Sequence, residues 1–279
     1  SVRPTRPKTA ENSARVEPRP RTAEARPPPP IVDMPIRVVV RKRPLSKKEI
    51  SRGETDVMEI RSPDVHVHEL KIKVDLSKCT ESHSFTFDDS FDELASNEEI
   101  YRRTIQHLMQ TVFDGGKATC FAYGQTGSGK TFTMLGADPT NPTVGSNAGM
   151  YVLAASDMFS LLNLPKNQHM TAYASCFEIY GGKLFDLFNE RKLVRCLEDH
   201  KQQVQILGLS EHEIGDVATL LRFMESGATI RSTGTTGANS DSSRSHAILQ
   251  LAIRDSRKQK NNLIGKFSFI DLAGSERGA

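Results

Sequence analysis

The chain has 279 residues, 37% of them hydrophobic and 25% charged, with a formal net charge of +3. This is ordinary globular composition, enough for one large domain or two small ones, and it excludes a collagen-like, disulfide-built or wholly disordered chain. The charge is uneven: residues 1–30 hold seven Arg/Lys against three Glu, so the remainder is slightly acidic and no global basic excess argues for nucleic acid.

Residues 1–30 also contain eight of the fourteen prolines, ending in Pro27-Pro28-Pro29-Pro30, and almost no large apolar residue. They are predicted to be a disordered basic arm, either a solvated tail or an electrostatic contact with an acidic surface. The arm lacks the apolar core of a secretory signal, and no apolar run of the chain approaches the length of a membrane span. From Ile36 the character changes: Ile36–Arg41 reads as a strand stopped by Pro44. Short alternating runs at Val57–Ile60, Val65–Leu70 and His83–Phe87 predict small hairpin strands. His66 and His68 would share one face of such a strand, but with no third ligand nearby they read as exposed histidines, not as a metal pair.

Residues 97–113 carry the clearest helical pattern, with Asn97 as cap, Glu98 and Glu99 in the first turn, and Tyr101, Ile105, Leu108 and Val112 along one face. Gly115-Gly116 ends it, and the apolar run Lys117–Tyr123 follows as a buried strand. Residues 136–148, rich in Gly, Asn and Pro, read as a flexible insertion. A helix near 150–163, strands at 169–180 and 183–188, a helix capped by Asp216 and ending near Gly227, and strands at 246–253 and 263–270 complete the chain. The alternation predicts a three-layer α/β fold of the P-loop NTPase kind, with a central, mostly parallel sheet flanked by helices. Cys79, Cys120, Cys176 and Cys196 stand far apart, without metal-ligand spacing, and read as buried free thiols of a reducing compartment.

Three motifs bear chemistry. Gly124-Gln125-Thr126-Gly127-Ser128-Gly129-Lys130-Thr131 fits the phosphate-loop template and lies between a predicted strand and a predicted helix. Its glycines let backbone N–H groups curl around a phosphate, and the following helix N-terminus adds partial positive charge. Lys130 would reach the β- and γ-phosphates and the Thr131 hydroxyl would ligate Mg²⁺. The strand 264–270 runs into Asp271-Leu272-Ala273-Gly274, where Asp271 would hold Mg²⁺ through water and Gly274 would offer its N–H to the γ-phosphate. The third motif, Asn239-Ser240-Asp241-Ser242-Ser243-Arg244-Ser245-His246, crowds hydroxyls around one arginine just before a strand.

Together with Asp271-Leu272-Ala273-Gly274-Ser275-Glu276 and Arg41-Lys42-Arg43-Pro44, these motifs stand in an order and spacing that resembles the kinesin motor superfamily, over residues from about 36 to 279. The resemblance implies an ATPase with Mg²⁺ and tubulin or microtubules as partner, in the cytoplasm on the cytoskeleton, with spindle and cilium both open. It implies neither nucleic acid nor membrane as partner, and a dimer of the full-length protein stays open. Arg41 and Pro44 resemble the adenine-contacting pair, with Phe132 as a further wall. Ser243 resembles the serine of the first switch that ligates Mg²⁺, and Ser242 would position the attacking water. Arg244 and Glu276 resemble the salt bridge between the two switches, Glu276 also relaying the water's proton.

Several segments are similar to the kinesin-13 group, which takes microtubules apart: Ile36–Glu49, Phe177–Leu187 and Arg231–Asn239. Lys73-Val74-Asp75 resembles that group's finger, which presses on curved tubulin; read alone, it is a solvated turn. The basic arm stands where that group has a charged neck. A motor domain over residues 31–279 would be incomplete, because the resemblance implies further helices and a last strand after the second switch. That places ATPase activity in this chain in question, with impairment expected. The alternatives are a translocating kinesin, a nucleotide-binding fragment without motor activity, or an unrelated phosphate-loop ATPase.

Overall fold

The structure, a computed structural model, describes residues 35–137, 148–200, 202–233, 244–257 and 262–277. The expected basic arm lies outside the described residues, as does most of the expected insertion. Strand β1 (Val39–Arg41) is shorter than the predicted run from Ile36. After it comes the short helix α1 (Lys47–Ser51), set by a capping box in which the Ser46 hydroxyl accepts from the Glu49 N–H and the Glu49 carboxylate accepts from the Ser46 N–H. The three predicted hairpin strands are present as β2 (Met58–Arg61), β3 (Asp64–Ile72) and β4 (Lys78–Thr86), an antiparallel sheet of their own. Strand β5 (Asp89–Phe91) then returns to pair in parallel with β1.

The helix expected over 97–113 is two helices, α2 (Asn97–Thr104) and α3 (Gln106–Phe113), divided at Ile105, where φ is −114° and ψ is −36°. Both halves pack on the helix 150–162, and the break turns α3 onto the strands 117–122 and 263–271 as well, while Ile105 stays buried. The cap of α2 is Ser96, whose hydroxyl accepts from the Glu99 N–H at 3.1 Å; Asn97, expected in that role, is the first helical residue and is buried.

The expected elements β6 (Lys117–Ala122), α4 (Lys130–Leu135), α5 (Met150–Leu162), β7 (Met170–Tyr180) and β8 (Lys183–Asp186) follow in order, and then come strands that were not expected, β9 (Lys192–Glu198) and β10 (Val204–Leu207). After them come β11 (His212–Ile214), α6 (Val217–Thr233), β12 (His246–Asp255) and β13 (Leu263–Asp271). Asp216 does cap α6, its carboxylate accepting from the Thr219 N–H at 2.6 Å, but the helix runs past Gly227 to Thr233.

The main sheet has the order β10-β9-β8-β7-β12-β13-β6, with β11 also on β7. The expectation of a mostly parallel sheet is corrected: among the described residues only β6 and β13 pair in parallel here, and every other pairing is antiparallel. The reason lies in the connections. Gly181 and Gly182, both at positive φ, turn β7 straight back into β8, whereas a parallel pair needs a crossover of a dozen residues or more. An apolar run shows that a strand is buried without encoding its direction.

One face of this sheet carries the core. Leu249, Leu251 and Ile253 on β12 lie in register with Phe269, Phe267 and Gly265 on β13. Helices α3 and α4 pack on β6 and β13, while α5 packs on α2, α3, α4 and α6. Among the described residues the helices on the sheet thus gather on one face, two layers where three were expected; on the other face Phe121 is 61% exposed. At Gly265 an added Cβ would stand 1.9 Å from the Val112 carbonyl oxygen, so the seating of α3 on β13 requires glycine. No helix among the described residues is long and apolar enough to cross a membrane. The four cysteines are free; burial pushes the Cys120 and Cys176 thiols up to about 12, but Cys196 is exposed, not buried as expected.

Candidate functional site

The parallel pairing of β6 with β13 creates the site, because two parallel neighbours end at the same edge of a sheet. From β6 the chain enters the predicted phosphate loop, where Gly124, Gly127 and Gly129 take φ of 150°, 78° and 96°, values open to glycine and closed to most side chains. The predicted helix begins at Lys130. The Lys130 ammonium donates to the carbonyls of Gly124 (2.7 Å) and Gln125 (3.0 Å), folding the loop over its own side chain. The segment after β13 joins the same loop: the Ser275 N–H donates to the Gly124 carbonyl at 3.2 Å.

Thr131 and Asp271 meet at this corner, 140 residues apart in sequence, the Thr131 hydroxyl donating to Asp271 Oδ2 at 3.2 Å. Asp271 is 3% exposed, and its other oxygen, Oδ1, is buried without a hydrogen-bond partner among the described residues. Burial raises its pKa above the ordinary carboxylate value, opposed by Arg231, the Thr131 bond and Lys130. A buried, half-satisfied carboxylate next to a threonine hydroxyl and an ammonium is an oxygen-donor set that fits a hard divalent cation. Ser243, the other expected ligand, lies outside the described residues, as do Asn239 and Ser242.

Glu276 reaches the phosphate loop from the short turn after β13. Its carboxylate accepts from the Thr126 N–H at 2.9 Å and from the Thr126 hydroxyl. Gly274 sits against this contact: an added Cβ would stand 2.5 Å from both Glu276 carboxylate oxygens and from the Thr126 hydroxyl. Arg244 is an exposed turn residue just before β12, and the ion pairs among the described residues do not join it to Glu276. The structure therefore brings Gly124–Thr131, Asp271, Gly274 and Glu276 together, and shows Glu276 on the loop where the resemblance implies it on Arg244.

Beside the loop opens a cavity of about 710 Å³, lined among others by Arg41, Arg43, Pro44, Ser128, Gly129 and Phe132. Arg41 is braced from several sides. Its guanidinium donates to Asn97 Oδ1 (2.5 Å), Thr133 Oγ1 (2.9 Å) and the Ala95 carbonyl (3.0 Å), and lies 5.1 Å over the Phe132 ring. Burial lowers its pKa. The Asn97 amide also donates to the Phe132 carbonyl at 3.1 Å, so one side chain ties β1 to α4. The sequence reading missed Asn97 and Arg43 here. For Asn97 the available signal was a second capping residue, Ser96, directly before it, which left Asn97 without a capping task.

Lys73, Val74 and Asp75 lie in another sheet, at the tip of the β3–β4 hairpin. The tip is closed by the Leu76 N–H on the Lys73 carbonyl and the Lys73 N–H on the Ser77 carbonyl, both 2.9 Å, with Leu76 at φ 64°. Asp75 folds back on Ser77, accepting from its N–H (3.0 Å) and hydroxyl (2.6 Å), which holds its carboxyl below the usual range. Val74 is fully exposed, and Leu70, Ile72 and Leu76 are 67%, 68% and 82% exposed. A family model of the kinesin motor domain matches residues 41–279 of the chain.

Proposed function

The chain belongs to the kinesin motor-domain family, and on that premise we propose that it hydrolyses ATP and couples the hydrolysis to the shortening of microtubules from their ends. Kinesin motor domains are microtubule-associated ATPases of the cytoplasmic cytoskeleton on a phosphate-loop fold, and they bind nucleotide with Mg²⁺. The observation that carries the reading for this chain is the convergence of Lys130, Thr131, Asp271 and Glu276 on one loop. Phosphoryl transfer needs positioning and charge neutralisation more than covalent chemistry from the protein, and this corner supplies both.

The roles divide as follows. Backbone N–H groups of the loop and the Lys130 ammonium hold the phosphates; with α4 only six residues long, these groups matter more than a helix dipole. Thr131, Asp271 and Ser243 would hold Mg²⁺, which would neutralise the negative charge of the phosphates. Ser242 positions the attacking water. Arg41, Pro44 and Phe132 wall the nucleoside pocket. Glu276 and the γ-phosphate compete for the Thr126 N–H, so phosphate on the loop frees the Glu276 carboxylate to pair with Arg244 and relay the water's proton. Two loops that both answer to one phosphate reorder when it leaves, which is how hydrolysis becomes motion.

The choice of filament shortening over walking rests on the β3–β4 hairpin. Its apolar, fully exposed Val74 beside Lys73 is unsuited to a solvated turn and suited to pressing on a protein surface. The test is to add the chain and ATP to stabilised fluorescent microtubules. Shortening from the ends supports the assignment; gliding without shortening would replace it with a translocating motor. Phosphate release that Glu276→Ala abolishes would separate an active ATPase from an inert nucleotide-binding piece.

A further inference from the structure

Glu178 lies in the middle of β7 and is 0% exposed, an unusual place for a carboxylate. Two arginines answer it. Arg191, in the turn between β8 and β9, donates from Nε to Glu178 Oε2 at 3.0 Å, and Arg231, near the end of α6, brings its Nε to 3.5 Å from Oε1. Arg231 also reaches Ser245, donating to its hydroxyl at 2.8 Å and to its carbonyl at 3.2 Å.

Register shows what this ion cluster faces. Glu178 pairs with Ala247 on β12, and Ala247 pairs with Asp271 on β13. Residues directly opposite one another lie on the same face of a sheet, so Glu178 and Asp271 stand in one row with only the methyl of Ala247 between them. Two strand spacings put their backbones about 9.5 Å apart. The Arg231 charge acts on Asp271 from this position, since it is the largest of the influences opposing the burial-raised pKa. Yet Asp271 Oδ1 has no hydrogen-bond partner among the described residues. Glu178 Oε1 has none either: the guanidinium is hydrogen-bonded to Ser245 and ion-paired with Glu178 at 3.5 Å, with a second buried carboxylate, Asp271, within its field.

We propose that Glu178 is a positioning residue for the cation corner: it holds the Arg231 guanidinium away from Asp271 and so keeps the Asp271 carboxylate available to Mg²⁺. Without the Glu178 charge, Arg231 has one buried acid left to neutralise, and an arginine on Asp271 competes with the cation for the same oxygens. Ala247 is the complementary feature, a side chain too small to separate the two acids. The inference rests on the reading of Asp271 as the cation's carboxylate.

The test is equilibrium binding of a fluorescent ADP to the 279-residue chain in EDTA and across a Mg²⁺ titration, with far-UV circular dichroism to confirm folding. Wild type should bind tighter with Mg²⁺, and Asp271→Asn should lose that gain; if Asp271→Asn keeps it, the reading of the cation site fails, apart from anything Glu178 does. Given that control, Glu178→Gln should raise the Mg²⁺ midpoint about tenfold while affinity in EDTA stays within about twofold, and Arg231→Gln added to it should restore the wild-type midpoint. Arg231→Gln alone, which leaves Glu178 paired with Arg191, should also keep the wild-type midpoint and serves if Glu178→Gln does not fold. An unchanged midpoint in folded Glu178→Gln, a double variant as impaired as the single one, or loss of the Mg²⁺ gain in Arg231→Gln would each overturn the proposal.

Discussion

The phosphate-loop corner and the β3–β4 hairpin are built on opposite principles. In the corner, function and packing share the same atoms: Asp271 is buried, a Cβ at Gly274 would press on the Glu276 carboxylate and the Thr126 hydroxyl, and the loop is bonded to the segment after β13. In the hairpin, the strands hold each other through ladder bonds and exposed charge pairs, such as Lys71 with Glu81 at 2.5 Å and Glu69 at 3.4 Å, and the tip projects. Exposed pairs of that kind contribute little to stability, because water and salt screen them. The contrast teaches that substitutions at the closely packed glycines beneath the corner disturb chemistry and fold together, whereas the tip can be altered with little cost to either.

The strongest way to break this contrast is at the corner's foundation. Gly265→Ala would drive a Cβ into the Val112 carbonyl and should destabilise the chain by about 3 kcal/mol or more, read by urea denaturation. A loss below about 1 kcal/mol would show that α3 is not seated as closely on β13 as described. Next, Lys130→Ala should keep the fold and reduce phosphate release by about 10²–10³-fold, the scale of losing one preorganised charge contact.

Asp271→Asn sharpens the contrast by separating chemistry from stability. Burial raises the Asp271 pKa above its unfolded value near 3.8, so its contribution to stability is fully present below that pH and is lost as pH rises through the folded pKa. At pH 7 without Mg²⁺ the asparagine variant should therefore melt at the same temperature as wild type or higher, while losing Mg²⁺-dependent nucleotide binding. The difference in melting temperature should shrink as pH falls toward 4. A variant clearly less stable at pH 7 would show that the ionised carboxylate is needed by the fold. Smallest of all, Lys73→Ala with Asp75→Ala should change stability by less than about 1 kcal/mol and leave basal phosphate release unchanged, while blocking microtubule shortening. Equal loss of both activities would make the tip part of the core.

What could be read ahead of the structure follows the range of the interactions. The phosphate loop was legible because its glycines set the backbone locally and Lys130 acts through bonds spanning five and six residues. Helix starts were nearly legible: the cap of α2 fell one residue early, on Ser96, because serine and asparagine cap alike and only burial separated them. The division at Ile105 was not legible, since an unbroken apolar stripe does not record that its second half packs on β6 and β13 as well as on α5. Nor was the Arg191–Glu178–Arg231 cluster, whose partners lie 13 and 53 residues from the acid and read singly as surface charges.

The sequence by itself determined that a phosphate loop ends one strand, that Asp271 ends another, and that an exposed charged turn lies between two short strands. Those are local facts, set by backbone freedom, side-chain chemistry and periodicity. That the first strand is buried was expected but holds on one face only. The tertiary structure decided that the two strands run parallel and adjacent, so that Thr131 meets Asp271, that most of the sheet is antiparallel, and that Arg231 meets the buried Glu178 and Ser245. Strand direction and register depend on how turns and helices close over hundreds of contacts, and a buried charge finds its partner only when the layers that exclude water have come together.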